Sequence, residues 1–417
     1  QRTSPKAKAR DNRRALERRL ELWSEGRIFE LMEEAAAIQE RLSGQRRKID
    51  DSEVNRMFAK LVFEGKLRAG IDFLQRATSG GAQKLTPEVI ATLKALHPRA
   101  DPGTSEVYMD GEPPEAHPVI FEDMTAANIK EAASRTKGGA GPSGGDAAHW
   151  KRMLFSFGER SNELAEAMAA TARRMCTEYV DPLMSLSALL ANRLLPIDKN
   201  PGTRPIGIGE VARRIIGKTI VKVLRTDIKN AAGVTQLCAG QEGGVEAALH
   251  AMIQVFEYDD TDAVLLVDAQ NAFNRLNRRA ALHNIRFICP PFATILINWY
   301  RAPARLFVAG GQELSSEEGT TQGCPCAMPM YALGIVPLID RLRPVLREPN
   351  DPGVQTWYAD DSQAAGRLCA LRRWWDILAR EGPPYGYHSN SAKTYLVVKP
   401  HLLKEAREIF QGTGVNI

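Results

Sequence analysis

Apolar side chains recur at helical spacing through residues 11–43, where Leu16, Leu20, Trp23, Ile28, Leu31, Ile38 and Leu42 share a face, and this predicts one long helix. Val54 to Leu74 predicts a second helix, closed by the turn-forming Ser79-Gly80-Gly81, and Pro87 to Leu96 a short third. Pro102-Gly103 and Pro113-Pro114 mark a loop, and Thr136 to Gly145 reads as a flexible one. Helical spacing returns over 147–195, carried by Trp150, Met153, Leu154, Phe157, Leu164 and Met168. The period then changes. Leu194 to Ile197 and Arg204 to Ile208 flank Asp198-Lys199-Asn200-Pro201-Gly202, the pattern of a β-hairpin with basic residues at tip and root. Ala263 to Val267 is a wholly apolar run, a buried strand that ends in Asp268. Thr356 to Ala359 leads into Asp360-Asp361 and a second short strand. Strands alternating with helices predict a mixed α/β (α+β) core behind a helical extension, with boundaries at 1–116, 117–260 and 261–417.

The composition, 44% apolar and 25% charged over 417 residues, is that of a globular chain of two or three units. No apolar run reaches membrane-spanning length, and the basic start lacks the apolar segment of a signal peptide, so an intracellular protein, cytoplasmic or nuclear, is expected. Gln1 in place of Met suggests a piece of a longer polypeptide. Six sparse cysteines without patterned histidines predict reduced thiols and no structural zinc; Cys324 and Cys326 alone supply only two ligands. The net charge of +5 is concentrated in residues 1–20, where Arg2, Lys6, Lys8, Arg10, Arg13, Arg14, Arg18 and Arg19 face only Asp11 and Glu17. Such an arm suits nucleic-acid backbone, because neutralising phosphates releases counterions; by itself it is more often a solvated helix face.

The chemistry lies in the acids. Asp268 at a strand end and Asp360-Asp361 in a hairpin turn converge if the two strands are neighbours in one sheet. Clustered carboxylates raise one another's pKa unless cations share the site. Magnesium takes a few carboxylates together with substrate phosphates and water, and two such ions can activate a hydroxyl and stabilise a leaving oxygen. Taken singly, an Asp pair in a turn is usually just a solvated turn. The ordered set carries the signal.

That set resembles the reverse transcriptases of eukaryotic retroelements, of non-LTR or tyrosine-recombinase type, over roughly 118–399. Arg204-Pro205-Ile206 resembles the fingers motif that grips the incoming triphosphate, and Asp268 to Phe273 the first palm motif. Gln322-Gly323 resembles the second palm motif, Tyr358-Ala359-Asp360-Asp361 the third, and Asn390 with Lys393-Thr394 the fourth. The resemblance implies a right-hand polymerase with fingers over 117–260 and a palm with an antiparallel sheet over 261–417, the two interleaved, and a thumb missing or truncated. It implies RNA-templated DNA synthesis from an RNA template, a DNA primer and dNTPs, with two Mg2+ ions, or Mn2+ in their place, held by Asp268, Asp360 and Asp361. Phe273 is implied as a gate excluding a 2′-hydroxyl, Gln322 and Gly323 as a surface against the nascent base pair, Lys199 and Arg204 as triphosphate ligands, and Lys393 as a pyrophosphate partner. For Phe273 an ordinary core aromatic, and for Lys199 and Lys393 a surface lysine, stay open. Arg213 and Arg214 match no motif; template-backbone contact is the guess for them.

The sequence departs from the family after Gly323, where Cys324-Pro325-Cys326 replaces the usual Asp-Pro-Leu. The changed residue is not among the implied metal ligands. Three readings follow: a reverse transcriptase from a retrotransposon polyprotein, an RNA-dependent RNA polymerase, and a decayed or domesticated copy that only binds RNA. Oligomeric state is not legible.

Overall fold

Alternating burial along Asn192–Asp198 and Thr203–Gly209, and near-complete burial of Ala263–Val267, are what two half-covered strands and one covered strand require. The computed structural model describes residues 5–43, 51–78, 82–181, 186–199, 202–308, 311–348 and 351–417. Its strands are β1 (Asn192–Asp198), β2 (Thr203–Gly209), β3 (Ala263–Val267), β4 (Ala304–Val308), β5 (Gln312–Ser316), β6 (Arg347–Glu348), β7 (Asp351–Pro352), β8 (Val354–Tyr358), β9 (Asp361–Gly366) and β10 (Tyr395–Val398). They form a sheet of order β2-β1-β4-β5, with β1 parallel to β4, and an antiparallel sheet of order β10-β3-β9-β8. The architecture is mixed α/β, as expected. The expected hairpin is β1–β2, in register from Asn192↔Gly209 to Asp198↔Thr203. Its turn residues Asn200 and Pro201 lie outside the described residues, as do Arg2 and Ser79-Gly80-Gly81.

The chain divides into the units Gln1–Ser79 and Gly80–Ile417. Residues from 82 on are tied into the larger unit: the Gln83 backbone N–H donates to the Pro196 carbonyl (2.8 Å), and Leu93 is buried with Leu194, Leu306 and Val308. Farther on, the Asn284 side chain accepts from Met109 N–H and donates to the Val107 carbonyl. Those backbone groups belong to irregular segments whose burial no periodicity announces.

In the first unit the two long helices expected are each split, into Pro5–Ser24 with Ile28–Ser43 and Asp51–Phe63 with Leu67–Thr78. The breaks contain Gly26 and Gly65 at φ 72° and 73°, the left-handed conformation that ends helices and favours glycine. Arg13 pairs with Glu17, and Arg18 and Arg19 with Glu34, so part of the arm's charge is already answered at the surface.

The helical stretch expected over 147–195 also ends early. It is Ala147–Phe155, Glu159–Thr177 and the short Ser187–Leu190, after which Asn192 enters the sheet between Gly209 and Leu306. Strand pairing on both sides overrides the helical pattern there. The loop read as flexible is pinned: Ser143 donates its N–H (2.7 Å) and hydroxyl (2.6 Å) to the Glu210 carboxylate. Among the described residues no helix is long and apolar enough to cross a membrane.

Candidate functional site

The antiparallel sheet delivers two carboxylates to one place. β3 pairs with β9 from Ala263↔Gly366 to Val267↔Ser362, so Asp268, one step past β3, comes beside the turn that joins β8 to β9. Asn390 fixes Asp268 from the other side. Its N–H donates to the Asp268 carbonyl (2.8 Å), and its amide nitrogen reaches Asp268 Oδ2 (3.4 Å). The 388–390 segment is held there by the Ala269↔Ser389 bridge and by Gln270 N–H to the His388 carbonyl.

The β8–β9 turn is tight, because Tyr358 pairs with Asp361 and only Ala359 and Asp360 lie between. Ala359 is left-handed at φ 56°, a conformation that costs a residue with a Cβ about 1 kcal/mol or more. Gln236 holds it. The fully buried Gln236 side chain accepts from Ala359 N–H (2.9 Å) and donates to the Ala359 carbonyl (3.2 Å). Residues 235–237 are themselves hydrogen-bonded to Trp357 along the edge of β8. Behind the turn, the Tyr387 hydroxyl donates to the Asp360 carbonyl (2.9 Å) and lies 2.9 Å from Ser362 Oγ. Neither Gln236 nor Tyr387 was found from the sequence. An isolated Gln in Thr-Gln-Leu-Cys carries no signal; only the unsatisfied polar groups of a left-handed Ala could have asked for such a partner.

The electrostatics are those of crowded acids. Burial raises Asp360 to about 6 from 3.8, with repulsion from Asp361 and Asp268 adding and Lys199 opposing. Asp361 is also raised, by burial first and then by Asp268. Among the described residues no three His, Cys, Asp or Glu side chains converge closely enough to make a self-contained metal site. The donor set still fits a hard cation: two hard-oxygen carboxylates that disfavour each other, beside an open cleft where phosphate and water oxygens can complete the coordination.

That cleft, about 710 Å³, is lined by Asp268 and Asp360 together with Lys199, Arg204, Phe273, Gln322, Gly323, Asn390 and Lys393. Tyr358, Ala359 and Asp361 of the sequence constellation do not line it; they form the turn behind. Phe273 follows Asn271, a second left-handed residue (φ 51°) whose side chain donates to the Leu96 carbonyl (2.8 Å). The Phe273 ring is only partly buried and stacks on Tyr331, 4.8 Å between centroids, with part of its surface toward the cleft. Gly323, at φ 100°, passes so close to β2 that a Cβ would lie 2.7 Å from the Gly207 carbonyl oxygen. The loop bearing Gln322-Gly323 is thereby seated on the strand bearing Arg204. Of the two arginines read as template contacts, Arg213 is 2% exposed and cannot reach a template; Arg214 is bound to the carbonyls of Lys137 and Gly139.

No family model matches the chain, and no curated protein sequence does. Among solved structures the chain is similar to apo telomerase from Candida tropicalis truncated from its C-terminal domain, with 14% identity and a TM-score of 0.41. The match spans about half of each chain, 52% of this one and 52% of that one, and at this level of similarity it carries no argument about fold or function.

Proposed function

We propose that the chain is the polymerase core of a reverse transcriptase that extends a DNA primer on an RNA template. The observation that carries the reading is the single cleft that gathers Asp268 and Asp360 with Lys199, Arg204, Phe273, Gln322 and Gly323. In this reading the β1–β2 hairpin belongs to the fingers and the β10-β3-β9-β8 sheet is the palm.

Divalent magnesium, or manganese, bound by Asp268 and Asp360 would lower the cost of deprotonating the primer 3′-hydroxyl and of charge on the leaving oxygen. The remaining work belongs to the chain. Lys199 and Arg204 bring cations to the triphosphate, which orients it and answers charge that builds as the α-phosphorus–oxygen bond to pyrophosphate breaks. Lys393 lies on the cleft wall, where an ammonium can donate to the departing pyrophosphate. Asn390 keeps the Asp268 carboxylate aimed, Gln236 and Tyr387 keep the Asp360 turn in place, and Asp361 adds negative charge behind it. Phe273 supplies a flat apolar surface where a ribose 2′-hydroxyl would lose its water without gaining a partner. A retrotransposon polyprotein is the proposed source, and the nucleus or cytoplasm the proposed place of action.

Primer extension on an RNA template with magnesium tests the reading. Template-dependent incorporation of deoxynucleotides, lost in Asp360→Asn, is expected. Incorporation of ribonucleotides in preference would make the chain an RNA polymerase, and RNA binding without synthesis would make it a binding protein.

A further inference from the structure

The last carbonyls of a helix find no partner within it, and helix Pro87–Ala95 finds some of its own outside. His97 Nδ1 lies 2.8 Å from the Leu93 carbonyl, and His97 N–H donates to Lys94 (3.1 Å). The carbonyl of the capping Leu96 is answered from 175 residues away, by Nδ2 of Asn271 (2.8 Å). Asn271 uses the other end of its amide too. Its Oδ1 accepts from the side chain of Asn274 (3.0 Å), which is 4% exposed. Turned over, the amide would set oxygen against oxygen at Leu96 and N–H against N–H at Asn274. The backbone at φ 51° adds a demand that asparagine meets more easily than most side chains. Aspartate would keep the backbone and the Asn274 contact but lack the N–H for Leu96; glycine would keep the backbone alone.

We propose, on the polymerase reading, that Asn271 is a positioning residue for sugar selection. It ties the end of helix Pro87–Ala95 to the turn bearing Phe273, and so sets how far the Phe273 ring stands into the cleft. Asn271 caps the short helix Ala272–Arg275, its carbonyl accepting from the N–H groups of Asn274 (3.0 Å) and Arg275 (3.1 Å). Phe273 lies in the first turn of that helix. Its own carbonyl accepts from Thr320 N–H (2.6 Å), and its ring stacks on Tyr331. Thr320 and Tyr331 hold the aromatic from the two ends of the segment that contains Gln322-Gly323; Asn271 holds it from Leu96.

Leu96, Asn271 and Phe273 all line the cleft. Helix Pro87–Ala95, which precedes every motif read from the sequence, thus ends on the wall that a nucleotide meets. A turn released from Leu96 lets Phe273 tilt, and the tilt opens room for a 2′-hydroxyl. Asp268 need not move with it, because Asn390 holds that carboxylate separately. Selectivity should therefore change while the rate with a deoxynucleotide changes little.

The test is the kcat/KM ratio for a deoxynucleotide against its ribonucleotide counterpart, on an RNA template with magnesium. Asn271→Gly should lower the ratio about fivefold, the worth of one uncharged hydrogen bond. In the double variant with Phe273→Ala it should add nothing, since both changes act through one ring. A merely structural tie would slow both nucleotides alike. An unchanged ratio in Asn271→Gly, or losses that multiply in the double variant, overturns the proposal. If Asn271→Gly does not fold, Asn271→Asp replaces it with the same expectation; both nucleotides carry the same charge, so the added carboxylate cancels in the ratio. A wild type that uses neither nucleotide, or prefers ribonucleotides, fails the polymerase reading and not the tie. Amide exchange at Thr320, whose N–H donates to the Phe273 carbonyl, then decides: faster exchange in the variant is expected, and exchange equal to wild type overturns the tie.

Discussion

Asp360→Asn should make the protein more stable while removing its activity. Burial, with repulsion from Asp361 and Asp268, raises the Asp360 carboxyl from 3.8 to about 6. At 1.36 kcal/mol per unit, that rise is worth about 3 kcal/mol of folding free energy, and solvent at the cleft mouth reduces it to about 1–3 kcal/mol. The sign follows from which state binds the proton more tightly. The folded chain does, so metal-free wild type loses stability as pH rises from about 4 through about 6, and above that window the cost is fully present. Asparagine has no proton to lose and escapes it. For a unit of roughly 340 residues the unfolding entropy is about 0.7 kcal/mol per degree, so the variant should melt about 1–4 °C higher at neutral pH. The assay is thermal unfolding in chelator across that pH range. The difference should shrink toward zero near pH 4, and divalent metal should stabilise wild type selectively. A variant that melts at or below wild type throughout would refute the crowded-carboxylate account of this turn.

Other expectations follow from single residues. Phe273→Ala should reduce discrimination between deoxy- and ribonucleotides by about tenfold or more in kcat/KM ratios, a scale typical of apolar pocket contacts; unchanged ratios would leave Phe273 as core packing on Tyr331. Gln236→Ala strands the N–H and carbonyl of Ala359, which is 3% exposed, and should cost about 2–5 kcal/mol and lower kcat. Adding Ala359→Gly should recover about 1 kcal/mol, since glycine takes a positive φ without strain. Denaturant melts of the single and double variants check both.

The parts of this structure that follow short-range rules were legible in the sequence. The Ala263–Val267 strand, the hairpin bearing Arg204, and the placement of Asp360 in a turn all declare themselves by apolar period or turn chemistry. What was not legible depends on partners distant in sequence. Gln236 meets Ala359, Arg213 meets Leu190 and Trp299, and Asn284 meets Val107 and Met109 through contacts that no local pattern encodes. Residues 82–109 join the larger unit through Gln83 on Pro196, Leu93 among Leu194, Leu306 and Val308, and Asn284 on Val107 and Met109, partners that lie far away in sequence. The glycine breaks at 26 and 65 were readable in principle, but unbroken apolar spacing on both sides concealed them.

The central claim is that Asp268 and Asp360 act as one unit on a bound nucleotide. Single-nucleotide incorporation on an RNA template, followed in a rapid-quench experiment for wild type, Asp268→Asn, Asp360→Asn and the double variant, addresses it directly. Each single substitution should lower the rate by about a thousandfold or more, and the double variant should be little worse than either, as for groups that function together. Substantial activity in either single variant, or losses that multiply, would contradict a shared site.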